Sequence, residues 1–214
     1  MNKVTMNVQQ ALGKVKLLDK KFIKELSETD FVCAVKGSGK DAKIAGVTLD
    51  DWQNNQKANY DSLVDISNEI DAIKRALNQS NAQTKVKIGG KEYTVAEAIY
   101  MKQSGISYKK ELVKQMKAKF DRVNAFVINQ NDKAMVDSEN FVSKIYGGEK
   151  APAGVDDLAS VMNSYYSVRE HKLVDPISIL DKIKKLEKEI DDFETEVDNV
   201  LSVSNATTLI EVEF

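Results

Sequence analysis

Leu63-Val64-Asp65-Ile66-Ser67-Asn68-Glu69-Ile70-Asp71-Ala72-Ile73-Lys74-Arg75-Ala76-Leu77 runs into Ser80-Asn81-Ala82-Gln83-Thr84 and then Lys85-Val86-Lys87-Ile88, and this stretch decides the fold. Leu63, Ile66, Ile70, Ile73 and Leu77 alternate spacings of three and four, the seam of a coiled-coil helix. Val86 and Ile88 alternate with lysines, the pattern of a strand covered on one face. The same unit returns at the other end of the chain. Ile183, Leu186, Ile190, Phe193, Val197 and Leu201 lead into Ser204-Asn205-Ala206-Thr207-Thr208 and Leu209-Ile210-Glu211-Val212. An offset of about 124 residues superposes Ile66 on Ile190, Ile73 on Val197, Leu77 on Leu201, Ser80 on Ser204, Asn81 on Asn205 and Thr84 on Thr208.

This repeat predicts a mainly α fold of long antiparallel helices, a bundle or coiled coil, with a small β-sheet formed by short strands near 84–94 and 208–214. The two strands that follow the Ser-Asn-Ala segments are expected side by side in one sheet, with Lys87 and Lys85 opposite in charge to Glu211 and Glu213. Ser80 and Asn81 are expected to end the first heptad helix, which begins at about Leu49 with Thr48 or Asp50 as its cap. Trp52 and Tyr60 extend its stripe backward. Gly89-Gly90 suits a two-residue hairpin turn, and Thr94 with Glu97 reads as a capping box.

Upstream, Val8, Ala11, Leu12, Val15, Leu18, Phe22 and Leu26 predict a helix from about Val4 to Ser27. Phe31-Val32-Cys33-Ala34-Val35 reads as a buried strand, with Cys33 as a structural thiol, and Gly37-Ser38-Gly39 as a loop. Downstream, Gly105 should kink or break the third helix, whose seam resumes at Leu112, Met116, Phe120, Val123 and Val127. Asn129 to Lys133 reads as a turn before a shorter segment bearing Met135, Phe141, Val142 and Ile145. Gly147 to Gly154 is a loop, Leu158 to Tyr165 a short helix, and Asp175-Pro176 the cap and first position of the last helix. A single domain spanning 1–214 is expected, with 107–175 as an extended or inserted helical arm.

Among 214 residues, 30% are charged and 7% aromatic, with two prolines and a net charge of −2. That balance gives no global attraction to nucleic acid or to an anionic membrane. Neither a secretory leader nor a membrane-spanning run is read, so a cytoplasmic location is expected, and one cysteine fits a reducing compartment. The sequons at Asn78 and Asn205 are then chance matches.

Gly37-Ser38-Gly39-Lys40 lacks the glycine at Ala34 and the hydroxyl at Asp41 that a phosphate loop needs. Cys33 and His171 are the only residues of their kinds, and the acids from Glu187 to Asp198 spread around a helix, so no catalytic, cofactor or metal set is assigned. The lysines of the first helix and Lys109, Lys110, Lys114, Lys117 and Lys119 form basic faces, for which the acidic last helix offers an internal partner.

Ser80-Asn81-Ala82-Gln83-Thr84 followed by Gly90-Lys91-Glu92-Tyr93-Thr94-Val95-Ala96-Glu97-Ala98 resembles a family of small helical proteins of Gram-positive bacteria and their phages, some labelled septicolysin. The resemblance covers Leu63 to Gln103 and the C-terminal repeat, and implies a helical fold with no known activity. The expected function is that of a non-enzymatic interaction or assembly protein of phage or mobile-element origin, a homo-oligomer that also meets a host or phage protein. The alternative is a protein that sequesters a nucleotide-like signal between subunits, with Lys109, Lys110, Tyr93, Tyr100 and Tyr108 as contacts.

Overall fold

A computed structural model describes residues 3–36, 43–145 and 155–213, with side chains from 158 in the last of these. The expected loops at 37–40 and 147–154, and Phe214, lie outside the described residues. In chain order the elements are β1 (Lys3–Asn7), α1 (Val8–Glu28), β2 (Lys43–Ile44), β3 (Val47–Thr48), α2 (Leu49–Gln83), β4 (Lys85–Ile88), β5 (Lys91–Thr94), α3 (Val95–Tyr100), a π turn at Met101–Gly105, α4 (Ile106–Ile145), α5 (Val155–Ser167), α6 (Ile179–Thr207) and β6 (Leu209–Glu213). The protein is mainly α, as the periodicity predicts. The chain divides into two compact units, residues 1–103 with 192–214, and residues 104–191.

The first unit is built on the repeat, but the strands do not pair as expected. β4 pairs antiparallel with β5, Lys85 opposite Thr94, and β6 pairs antiparallel with β1, Leu209 opposite Asn7. The reason is local in one case and distant in the other. Gly89 and Gly90, at φ +56° and +75°, turn β4 directly into its neighbour. β6 has no such turn and takes residues 3–7, which the stripe from Val4 assigned to helix. The helix begins only after Asn7, whose side chain accepts from the Gln10 amide at 2.7 Å while Gln10 Oε1 accepts from the Asn7 amide at 3.0 Å.

The repeat is nevertheless structural. Neither long helix stops at its Ser-Asn pair: α2 continues to Gln83 and α6 to Thr207. The Thr84 amide then donates to the Ser80 carbonyl at 2.8 Å, and the Thr208 amide to the Ser204 carbonyl at 2.9 Å. Beyond the partner strand the first helical amide returns to the same threonine, Val95 N to Thr84 O at 2.9 Å and Val8 N to Thr208 O at 3.0 Å. Thr94 with Glu97 repeats the capping box of Asn7 with Gln10. Each module is thus helix, strand, strand, helix, and the second is assembled from opposite ends of the chain.

Each ribbon lies on the long helix of the other module. Ile66, Ile70, Ile73 and Leu77 of α2 share a core with Met6 of β1, Ile210 and Val212 of β6, and Val8, Ala11, Val15 and Leu18 of α1. On the other side Tyr93 of β5 meets Phe193 of α6 edge to face at 5.8 Å. The Gly89 amide donates to Glu196 at 2.7 Å. Exposed ion pairs, Lys3 to Glu213 at 2.6 Å and Lys85 to Glu92 at 2.8 Å, span each ribbon and contribute little.

In the second unit, α4 runs unbroken through Asn129–Lys133, where a turn was expected. Asn131 is held in the helix by a reciprocal contact: its Nδ2 donates to the His171 carbonyl at 3.0 Å, and its Oδ1 accepts from the His171 amide at 2.7 Å. Phe141 stacks on Tyr165 of α5 at 4.4 Å, and Arg169 lies 3.6 Å over the Tyr165 ring. α6 starts at Ile179, not at Pro176. Asp175 still caps it from a distance, its carboxylate accepting from the Ile179 amide at 2.8 Å.

Gly89 is placed where a side chain would be crowded and strained: a Cβ there would stand 3.2 Å from Asp192 Cβ, on a left-handed backbone. Gly89→Ala is expected to lower the melting temperature by several degrees, and Gly90→Ala, which faces open space, by less; thermal denaturation of the two variants checks the order. The Thr94 amide and hydroxyl hold the Glu97 carboxyl below the ordinary glutamate range. Because the folded pKa is the lower one, this stabilisation is complete above the unfolded value and is lost as pH falls through the folded one. The stability difference between wild type and Glu97→Ala should therefore shrink on acidification, while that for Gln10→Ala, whose cap does not titrate, should not.

Candidate functional site

The residues singled out by sequence fall in different places. Tyr93 and Tyr100 belong to the first unit, Tyr93 half-buried against Phe193 and Tyr100 exposed. Tyr108, Lys109 and Lys110 belong to the second. There Lys109 pairs with Glu189 at 2.8 Å and Lys117 with Glu187 at 2.5 Å, so the acidic α6 does answer part of the basic face of α4. Lys110, Lys114 and Lys117 line a groove of about 530 Å³ together with Val113, Glu187 and Ile190. The lysines there share their groove with carboxylates, which blunts its pull on an anion.

The more telling feature of the second unit is what α4 leaves uncovered. Its buried face carries Ile106, Val113, Ala134 and Ser138, and Ser138 is fully enclosed with its hydroxyl donating to the Met135 carbonyl at 2.7 Å. Leu112 and Val123, expected in the seam, are instead exposed. At 100° per residue they fall with Tyr108 and Phe126 on one strip about 60° wide beside the covered face. Tyr108 is 73% and Phe126 53% exposed, although the Phe126 ring touches His171 edge to face at 5.6 Å. Val174, in the segment leading to α6, is 84% exposed. Spacing placed Leu112 and Val123 in the seam and did not group them with Tyr108 and Phe126, because α4 bears more apolar residues than one seam holds and spacing does not say which of two adjacent stripes is covered.

Among the described residues the large apolar side chains buried in this unit are Ile106, Val113, Ile183 and Ile190. That is a thin core for so long a helix, and exposed apolar strips of this extent mark contact surfaces. Among the described residues, no cluster of His, Cys, Asp and Glu is placed to hold a metal ion, and no helix is long and apolar enough to cross a membrane.

Cys33 does not sit in a buried strand. Residues 31–35 are irregular and exposed, because no strand among the described residues pairs with them. Its thiol should therefore react with a maleimide at nearly the same rate in native buffer and in denaturant; strong native protection would contradict the placement.

No family model, curated protein or solved structure matches the chain, so the reading of these surfaces rests on their own geometry.

Proposed function

We propose that the protein is a non-enzymatic helical assembly protein that works as a homo-oligomer, with the uncovered strip of α4 as its self-contact. The observation that carries this reading is the imbalance in the second unit, where Tyr108, Leu112, Val123 and Phe126 stand exposed on one side of a helix whose covered side includes the small or polar Ala134 and Ser138. A second copy of the same strip is the simplest cover, because a two-fold contact lets one apolar surface meet itself. A stable contact needs about 1,000 Å² or more, toward which two copies of the strip from Tyr108 to Phe126 of the 40-residue helix contribute.

Size exclusion with light scattering tests it. The wild type should elute at a multiple of 23.9 kDa, and Leu112→Asp with Val123→Asp should return the mass to that of one chain while leaving the helical circular dichroism intact. A wild-type mass of one chain across a hundredfold range of concentration would overturn the proposal.

A further inference from the structure

A different surface, in the first unit, has the character of a ligand site. α1 ends at Glu28, and Thr29 closes it by donating its hydroxyl to the Glu25 carbonyl at 2.7 Å. Glu25 in turn accepts from the Ser62 hydroxyl at 3.0 Å, which pins this end of α1 to α2. Two residues on, the chain makes a tight three-residue turn: the Val32 amide donates to the Asp30 carbonyl at 2.6 Å and Phe31 between them has φ +56°. A phenylalanine in the left-handed region is strained, and a turn of this hydrogen-bond pattern is uncommon. It places Phe31 in the wall of a groove of about 670 Å³ whose other wall is Trp52, Gln53, Gln56, Lys57, Tyr60 and Asp61 of α2.

Gln56 carries the second observation. Its Oε1 is buried and has no hydrogen-bond donor, the one such side-chain atom among the described residues. A buried acceptor without a donor is costly, and persists where something else supplies the donor. Lys57 and Asp61, exposed beside it, have no ion-pair partner among the described residues. Three aromatic rings, an amide with an open acceptor, one cation and one anion therefore line a concavity of the size that small ligands occupy.

We propose that this groove binds an anionic heteroaromatic small molecule of the nucleotide class. The ring lies against Phe31 and Tyr60, since base and aromatic faces stack without regard to sequence. An N–H of the ring or its exocyclic amine donates to Gln56 Oε1. Lys57 meets the phosphate, and Asp61 accepts from a sugar hydroxyl. This site is independent of the self-contact of α4, and it stands or falls separately from oligomeric state.

Trp52 is the only tryptophan in the chain, so its fluorescence reports on the groove directly. Full-length protein is titrated with the 5′-monophosphates of adenosine, guanosine, cytidine and uridine, and in parallel with the four nucleosides and with inorganic phosphate. At least one monophosphate should change the Trp52 emission saturably below about 1 mM, with its nucleoside weaker and phosphate alone without effect. Gln56→Met should weaken that binding at least roughly tenfold and at the same time raise the melting temperature by a few degrees, because it removes a buried acceptor that the unliganded protein does not satisfy. Phe31→Gly relieves the backbone strain and should fold normally while losing the ring contact. Lys57→Ala should weaken the monophosphate and leave the nucleoside unchanged. Absence of a saturable response to all four monophosphates, or equal affinity of wild type and Gln56→Met, would overturn the proposal. So would a response to phosphate equal to that to the nucleotides.

Discussion

A two-stranded ribbon cannot hold itself together in water, and the first unit is organised by that constraint. Each ribbon offers one apolar face of a few side chains, Met6, Ile210 and Val212 in one and Ile88 with part of Tyr93 in the other. Such a face is stable only on a floor. The floor is a helix from the other module, α2 beneath β1 and β6, α6 beneath β4 and β5. Neither module can therefore be completed alone, and the unit should form cooperatively. Ile73, fully buried in α2, and Gly89, where a Cβ would crowd Asp192, are where this mutual dependence is tightest.

The exchange of floors also shows which parts of the fold were legible in the amino-acid sequence. Heptad spacing, both positive-φ glycines of the β4–β5 turn and the Thr94–Glu97 box are local patterns, and these were read correctly. Strand partnership is not local. Val4 continues the three-and-four spacing of Val8, Ala11, Val15 and Leu18, so a strand of five residues was absorbed into the helix that follows it. Only the Asn7–Gln10 pair marks the boundary, and its pattern is less familiar than Thr with Glu. Without β1 in view, β6 was matched to β4, the strand that follows the equivalent Ser-Asn-Ala segment. The charges of Lys85, Lys87, Glu211 and Glu213 then agreed with a pairing that does not form, since each ribbon supplies its own ion pair.

A similar displacement explains α4. Five polar residues from Asn129 to Lys133 have the composition of a turn, but Asn131 finds both its partners in the backbone of His171, forty residues away. Tertiary hydrogen bonding outweighs the modest helix preference of Asn, which is a difference of less than about 1 kcal/mol per residue. The polar groups that make α4 continuous also dilute its covered face. Ser138 occupies a fully buried position that an aliphatic residue would fill in a self-sufficient bundle. Exposed apolar residues sit instead on the adjacent strip, where Leu112 and Val123 of the expected seam stand beside Tyr108 and Phe126.

The groove at Phe31 and Gln56 was illegible for a further reason: its defining features are a backbone angle and a missing hydrogen bond, neither of which has a sequence pattern. Its relation to the repeat is informative. The offset that aligns Ile66 with Ile190 would place Pro176 opposite Trp52, Leu180 opposite Gln56 and Lys184 opposite Tyr60. The second copy of the unit therefore reproduces the seam, the Ser-Asn-Ala exit and the strand, which the scaffold needs, and none of the aromatic or amide residues of the groove. A structural requirement of the module would be expected in both copies. Strain in the left-handed Phe31 and the orphaned Gln56 acceptor each cost on the order of 1–3 kcal/mol. Gln56 falls in the one stretch of α2 that the duplicated architecture does not use, and Phe31, in the segment after α1, lines the same groove. The orphaned Gln56 acceptor has no counterpart at Leu180, and it is better explained by something the groove binds than by anything the fold requires.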